Sequence, residues 1–418
     1  MNHFVYKNDD LYCEDVSVSH VAEQVGTPFY LYSYSTIRRH FGVFENAFNG
    51  LDHLTCFSVK SNSNLAILRL LALEGGGADI VSGGELFRAI RAGITPDKIV
   101  YSGVGKTRKD IEIALKSDIL MFNVESDQEL QTLNNIAKDM GCKATIAMRI
   151  NPDVESETHP YIVTGFSENK FGIQIEDSLN TYALAKHLKH IDVKGISCHI
   201  GSQLTEIDPF VEALRKLKEL LEELKKMGLD IEFLNLGGGL GITYNDEKPP
   251  HPLEYAKALK ETIGENRFTL ILEPGRVIIG NAGILVTRVL YTKSTKNKRF
   301  IIVDAGMNDL IRPALYNSFH AVQPVKMTHS EMFAADLVGP VCETGDFLAR
   351  DRKMPPFEPG DLVAVMSAGA YSFSMASNYN SRPRPAEVMV KGKLFSIIRS
   401  REVYEDLISG EAIPEFLG

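Results

Sequence analysis

The chain has 418 residues, of which 44% are hydrophobic and 24% charged, with a formal net charge of −9 and a pI near 5.7. That balance describes a globular protein of two domains, or one large barrel with an appendage, and its acidity argues against nucleic acid or an anionic membrane as the main partner. Five cysteines (Cys13, Cys56, Cys142, Cys198, Cys342) are scattered without a CxxC pair, which is neither a disulfide framework nor a zinc site and fits a reducing cytoplasm. No apolar run approaches the ~20 residues needed to span a bilayer, and residues 1–10 lack the basic-then-apolar pattern of a signal peptide.

The first 25 residues carry no strong pattern. From Pro28 onward, short apolar runs alternate with amphipathic helical stretches. Eight strands are expected, over 54–60, 77–82, 98–103, 119–126, 144–151, 194–201, 233–239 and 269–276. Helices are expected between them, for example over 64–74, 83–92 and 127–140. The clearest covers 211–227, where Leu214, Leu217, Leu220, Leu221 and Leu224 mark one face and Glu and Lys fill the others.

Eight β-α units in ~220 residues satisfy a (β/α)8 barrel, with a doubly wound open sheet as the competing architecture. The strand ends favour the barrel. Lys60, Asp79, Ser102, Asn123, Arg149, His199, the glycines at 237–239 and Glu273 all fall at or near those ends, and in a barrel they converge on the C-terminal mouth, where active sites lie. After Arg276 strand-like runs follow one another without long helices, over 277–290, 300–304, 335–339, 362–366, 385–390 and 393–398. This reads as an all-β domain, and the expected division is 25–278 for the barrel and 279–418 for the β-domain.

Within this frame several residues carry chemistry. In Cys56-Phe57-Ser58-Val59-Lys60-Ser61-Asn62 the apolar run ends at Lys60 and small polar residues follow. A lysine there is either a snorkelling strand-end residue or an amine poised as a nucleophile for Schiff-base chemistry. Gly237-Gly238-Gly239-Leu240-Gly241 follows the seventh strand and Glu273-Pro274-Gly275-Arg276 ends the eighth, the loops where barrel enzymes often seat a phosphate. Glu273 is either half of a plain Glu–Arg bridge or the partner of a protonated pyridine nitrogen. His199 is either a hydrogen-bonded core residue or a platform for a cofactor ring. Lysine, phosphate loops and acid together point to pyridoxal phosphate. No His, Cys or carboxylate set has metal-ligand spacing, so no catalytic metal is expected.

In the β-domain, Arg312-Pro313-Ala314-Leu315-Tyr316 offers a guanidinium and a phenol suited to a carboxylate. Cys342-Glu343-Thr344-Gly345-Asp346 sets a thiol beside an acid, and Gly369-Ala370-Tyr371 presents an aromatic hydroxyl on a small-residue turn.

These segments, with Gly77-Ala78-Asp79, His159-Pro160-Tyr161, Lys170-Phe171-Gly172 and Cys198-His199-Ile200-Gly201-Ser202, stand in an order that resembles the fold-type III pyridoxal-phosphate decarboxylases. Within them the chain is similar to the branch acting on meso-2,6-diaminopimelate. The resemblance spans nearly the whole chain. It implies a (β/α)8 barrel and a β-domain to which residues 1–24 also contribute, in a cytoplasmic homodimer whose active sites lie at the subunit interface.

By that likeness Lys60 binds the cofactor covalently, His199 stacks on its ring and Asp79 supports the site. Ser202, Gly239, Gly275 and Arg276 hold the phosphate, and Glu273 the pyridine nitrogen. Arg276, Arg312 and Tyr316 bind substrate carboxylate, and Tyr371 touches cofactor and substrate. Cys342, as proton donor, and Glu343, near the distal amine, come from the partner subunit. The expected reaction is decarboxylation of meso-diaminopimelate to L-lysine, the last step of lysine biosynthesis. Rival readings are an ornithine, arginine or carboxynorspermidine decarboxylase, an alanine racemase, a non-catalytic pyridoxal-phosphate carrier, and a cofactor-free aldolase. Closure of a loop over 155–170 is left open.

Overall fold

In the computed structural model, which describes residues 2–154, 170–264 and 268–418, eight parallel strands close on themselves. They are β1 (His53–Ser58), β2 (Gly77–Ile80), β3 (Ile99–Tyr101), β4 (Met121–Val124), β5 (Ala144–Asn151), β6 (Ile191–Ser197), β7 (Phe233–Asn235) and β8 (Thr269–Leu272). Each pairs with its sequence neighbour, and β8 returns to β1, so the open-sheet alternative is excluded. A short pair, Ile173–Gln174, extends the ladder beside β5.

The connecting helices begin where cap chemistry predicts. Asn64, Ser82, Thr107 and Ser126 each accept a backbone N–H at the starts of α1 (Leu65–Leu73), α2 (Gly83–Ala92), α3 (Arg108–Lys116) and α4 (Asp127–Asp139). Three more follow: α5 (Ile175–His187), α6 (Asp208–Lys226) and α7 (Pro252–Ile263). The leucine face of α6 is buried, as its spacing requires.

Period-two alternation builds the barrel interior in layers. Cys56, Val100, Met121, Ala147 and Ile271 come from five strands and pack in one buried apolar cluster. Two residues further on, along each strand or just past its end, the side chain is polar: Ser58, Asp79, Ser102, Asn123, Arg149, Ser197, Asn235 and Glu273. Ser58 stands opposite Asp79 in the ladder, and Ser197 opposite both Arg149 and Asn235. One turn of the pleat therefore separates core from site.

Seven of the eight barrel strands stop two to four residues short of their expected ends, β5 alone reaching Asn151 as expected. β1 stops at Ser58, and Val59–Ser61 is a 3-10 turn in which the Ser61 hydroxyl donates to the Ser58 carbonyl at 2.7 Å, diverting the backbone from the ladder. Arg276–Ile279 is a helical turn rather than the start of a strand.

The chain divides into two units, Arg38–Ile279 and Met1–Ile37 with Gly280–Gly418. The barrel lies wholly in the first. In the second, the principal sheet runs in the order Phe347–Met354, Phe333–Val338, Arg299–Val303, Gly283–Ser294, Phe29–Ser33, Ala386–Lys391 and Leu394–Arg399, with Leu362–Val365 and Val322–Pro324 paired beside it. Three short antiparallel strands, Phe4–Lys7, Asp10–Cys13 and Val16–Ser17, precede it. Phe29–Ser33 is buried at all five positions and pairs on both sides. The N-terminal share of this unit accordingly runs to Ile37, where the sequence suggested residue 24. Among the described residues no helix is long and apolar enough to cross a membrane.

Candidate active site

The polar layer of the barrel opens onto a cavity of about 340 Å³ whose wall includes Lys60, Ser102, Arg149, Phe171, Ser197, His199 and Glu273. That volume suits a small organic ligand. Lys60 sits on the 3-10 turn after β1 with its side chain 36% exposed. Its Nζ lies 2.6 Å from Oδ2 of Asp79, which is fully buried on β2. Ser58 Oγ is 3.0 Å from the same carboxylate oxygen and 2.9 Å from the Glu273 carbonyl. Asp79 Oδ1 has no hydrogen-bond partner among the described residues.

Glu273 lies just past β8, the strand that pairs with β1, and is buried. Its Oε1 accepts from Asn235 Nδ2 at 2.6 Å and from Asn123 Nδ2 at 3.3 Å. Burial, reinforced by the negative charge of Asp79, pushes its carboxyl up to about 7. The acid can therefore hold or release a proton near neutral pH. His199 follows β6, and its Nδ1 accepts the Gly238 N–H at 3.3 Å. Burial, then the positive charges of Arg149 and Lys60, hold the ring well below its ordinary pKa, so it is a neutral surface.

The loops after β6, β7 and β8 are pressed together. Leu204 and Leu240 exchange backbone hydrogen bonds through Gly239 and Gly241. Gly239 has φ +118°, and a Cβ there would stand 2.8 Å from the Gly201 carbonyl, so only glycine fits. Arg276, buried at the start of its helical turn, donates to Tyr244 Oη at 2.7 Å and to Ser202 Oγ at 3.1 Å. Gly275 packs on Ser58 and Ser61, joining this region to the lysine turn.

A second buried cluster flanks the cavity. Glu125 accepts from Arg149 Nη1 at 3.0 Å and from the Gly103 N–H at 2.9 Å on one oxygen, and from the Gly172 N–H at 3.1 Å on the other. Lys106, its side chain 1% exposed, donates to Glu129 at 2.7 Å and to the carbonyls of Gly103 and Asn123 at 2.8 Å each. Arg149 also stacks on Phe171.

The structure thus gathers Lys60, Asp79, His199 and Glu273 around one cavity, with Ser202, Gly239, Gly275 and Arg276 in the adjoining loops. Asn235, Tyr244 and the Lys106–Glu129 pair were missed from sequence. Asn235 had a signal, being an amide two residues past the core layer and just before the glycine run.

In the second unit, Arg312 is buried on the helical turn Arg312–Tyr316. Its Nε donates to His320 Nε2 at 3.3 Å and its Nη2 to Ser318 Oγ at 3.3 Å, while His320 Nδ1 faces the Met366 carbonyl at 2.8 Å. His320, also missed, therefore orients that guanidinium. Tyr316 is half-buried on the same turn. Cys342 is exposed, and its N–H donates to Asn380 Oδ1 at 3.0 Å. The neighbouring Glu343 accepts from Tyr379 and raises that phenol's pKa. Asp346 of the same motif is a loop anchor: it accepts the N–H groups of Met307 and Val341 at 2.6 Å each. Tyr371 is half-buried with φ +55°. His159-Pro160-Tyr161 and most of the 155–170 loop lie outside the described residues. Among the described residues no group of three His, Cys, Asp or Glu side chains could hold a metal.

The profile of the family described as pyridoxal-dependent decarboxylase, pyridoxal binding domain, matches residues 34–280. A diaminopimelate decarboxylase of Pseudomonas aeruginosa is 50% identical over 413 residues, covering 99% of each chain. The solved diaminopimelate decarboxylase of M. jannaschii, in complex with L-lysine, superposes with a TM-score of 0.95 at 39% identity and covers 99% of each chain. That of Helicobacter pylori, also with L-lysine, gives 0.90 at 45% identity over 94% of this chain and 98% of its own.

Proposed function

This chain belongs to the diaminopimelate decarboxylase family of pyridoxal-dependent decarboxylases, and we infer that it is a carboxy-lyase converting meso-2,6-diaminopimelate to L-lysine and carbon dioxide, the last step of lysine biosynthesis. The observation that carries this reading is the amine of Lys60, 2.6 Å from a buried aspartate, on the wall of the same cavity as a buried glutamate able to hold a proton near neutral pH.

The residues fit pyridoxal phosphate. An amine and an acid face one cavity, and a guanidinium and a hydroxyl lie beside glycine loops. Two buried side-chain oxygens, Asp79 Oδ1 and Asn123 Oδ1, lack a partner among the described residues. Lys60 would hold the aldehyde end, Glu273 the pyridine nitrogen, His199 the ring face, and Ser202, Gly239, Gly275 and Arg276 the phosphate. When bound, the cofactor supplies a sink for the electron pair left on the α-carbon as carbon dioxide departs.

The chain's own side chains then divide the work. Asp79, its Oδ2 2.6 Å from the Lys60 nitrogen, orients that side chain. Asn123 and Asn235 fix one oxygen of Glu273, so the proton this acid shares is carried on the other. Arg276, Arg312 and Tyr316 bind substrate carboxylate, and Tyr371 touches cofactor and substrate. Cys342 of a partner subunit delivers the proton to the α-carbon from its Sγ, and Glu343 takes the distal ammonium, which makes the working unit a homodimer in the cytoplasm. Meso-diaminopimelate carries a carboxylate and an ammonium at its far end, which a guanidinium and an acid can satisfy together. Ornithine lacks the carboxylate and would leave Arg312 unmatched, the kind of loss that discriminates strongly. Carbon dioxide release is the test: it should be seen with meso-diaminopimelate, accompanied by L-lysine, depend on pyridoxal phosphate, and be absent with ornithine as substrate. Equal turnover of ornithine to putrescine would overturn the substrate assignment.

A further inference from the structure

Residues 404–418 end the chain as an arm that carries structure but buries almost nothing. It forms the helical turn Tyr404–Leu407 and the 3-10 turn Glu415–Leu417. Tyr404, Ile408, Ile413, Phe416 and Leu417 are 61–84% exposed. Single exposed apolar residues need no explanation, but five in fifteen residues are a docking surface in search of a partner. The arm is also acidic, with Glu405, Asp406, Glu411 and Glu415 and no Lys or Arg.

The barrel presents a surface of the opposite character. α1 and α2 pack side by side, tied by Arg69 Nη1 to the Ala92 carbonyl at 3.3 Å and by Arg88 Nη1 to the Ser63 carbonyl at 3.1 Å. Their outer faces expose Leu73 (67%) and Phe87 (70%), with Leu65 and Ile90 at 40% each. Leu65, Arg69 and Leu73 fall at i, i+4 and i+8 on one helix, and Phe87 and Arg91 at i and i+4 on the other, so apolar and cationic side chains share each stripe. Three arginines against one glutamate (Glu85) make this helix pair basic in an otherwise acidic chain.

We propose that the acidic, apolar arm of one copy docks on the basic, apolar α1–α2 face of a second copy of this chain. The proposal rests on the homodimer reading and deepens it by naming the surfaces. Aromatic and aliphatic anchors on the arm would meet Phe87 and Leu73, and arginines at the rim would answer the arm's carboxylates. Because the charges are at the rim, salt should weaken the contact.

Sedimentation equilibrium on the pyridoxal-phosphate-loaded full chain tests it. Ile408→Asp with Phe416→Asp, and separately Phe87→Asp, should each raise the dimer dissociation constant by about tenfold or more, as loss of a buried anchor does. Arg91→Glu should weaken the dimer as well. A photo-crosslinker at position 416, in a mixture of isotopically heavy and light chains, should give mixed-isotope links to peptides of α1 or α2. A dimer unchanged by the arm variants overturns the proposal, as do crosslinks to other peptides or links confined to one isotope. A wild-type chain that is monomeric at every concentration overturns the homodimer reading itself.

Discussion

Two buried ionic clusters share the mouth of the barrel, and they differ in how completely their polar atoms are matched. In the cluster of Lys106, Glu129, Glu125 and Arg149, Lys106 spends three donors on three acceptors, and both oxygens of Glu125 accept from backbone or guanidinium. In the cluster of Lys60, Asp79, Asn123 and Glu273, two buried oxygens lack partners among the described residues, and one carboxyl is pushed up to about 7. They meet at Asn123, whose carbonyl belongs to the first and whose amide belongs to the second. Both clusters are charged, buried and close to the cavity, so charge and burial alone do not mark the chemistry. What separates the two is unmatched capacity together with a raised carboxyl on the cavity wall: a saturated network holds walls in place, whereas unpartnered acceptors beside a labile proton can receive a bound group.

The sharpest way to break this distinction is at Lys60. Lys60→Ala should lower the rate of lysine formation on the order of 10³-fold or more, the scale of losing a nucleophile, and the protein should lose pyridoxal phosphate on dialysis. Next comes Glu273→Gln, which keeps an acceptor for the two asparagines but cannot ionise. Its turnover should fall by about 10²-fold, the scale of one electrostatic group at a reacting centre. Without cofactor its effect on stability should depend on pH. Glu273 has a raised pKa when folded, so its contribution to stability is full below the ordinary value of 4.5 and is lost as pH rises through about 7. Melting of the apoprotein should therefore favour Gln over Glu at pH 8, by a few degrees, and show no difference at pH 4. The reverse ranking would mean that the acid is stabilised as an anion and that the cluster is as saturated as its neighbour. Asn235→Ala removes the nearest donor to the anion, so Glu273 should titrate still higher by carbon-13 NMR, with a loss of about tenfold in turnover.

Much of this was legible before any coordinates. The barrel shows because apolar runs alternate with helices whose caps, Asn64, Ser82 and Ser126, are written in the sequence. The site shows because a polar side chain stands two residues beyond the core layer on every strand or just past its end. What stayed hidden had weak local signals. The strands Phe4–Lys7 and Asp10–Cys13 are four residues each and half polar. Phe347–Met354 holds Arg350, Asp351, Arg352 and Lys353, a charge run that reads as loop and is tolerated because the strand is an edge of its sheet. His320 orients Arg312 from eight residues away, and Lys106 finds Glu129 across 23, and such pairings follow from tertiary placement and not from pattern.

The saturated cluster makes the opposite prediction, and Lys106→Met tests it. The change leaves the Glu129 carboxylate buried opposite a methionine, and removing one partner of a buried pair typically costs ~3–5 kcal/mol. Burial already raises the pKa of Glu129 against the pull of Lys106, so without the lysine it should rise further. A raised carboxyl contributes stability that is lost as pH increases, and the variant should therefore be most destabilised at alkaline pH and partly recovered as the pH falls and Glu129 takes up a proton. Adding Glu129→Leu removes the stranded charge and should restore much of the melting temperature at pH 8. Turnover per folded, cofactor-loaded molecule should stay within about threefold of the unmodified enzyme throughout, because Lys106 is absent from the cavity wall. A loss approaching that of Glu273→Gln, with melting unchanged, would place Lys106 in the chemistry and erase the line between the two clusters.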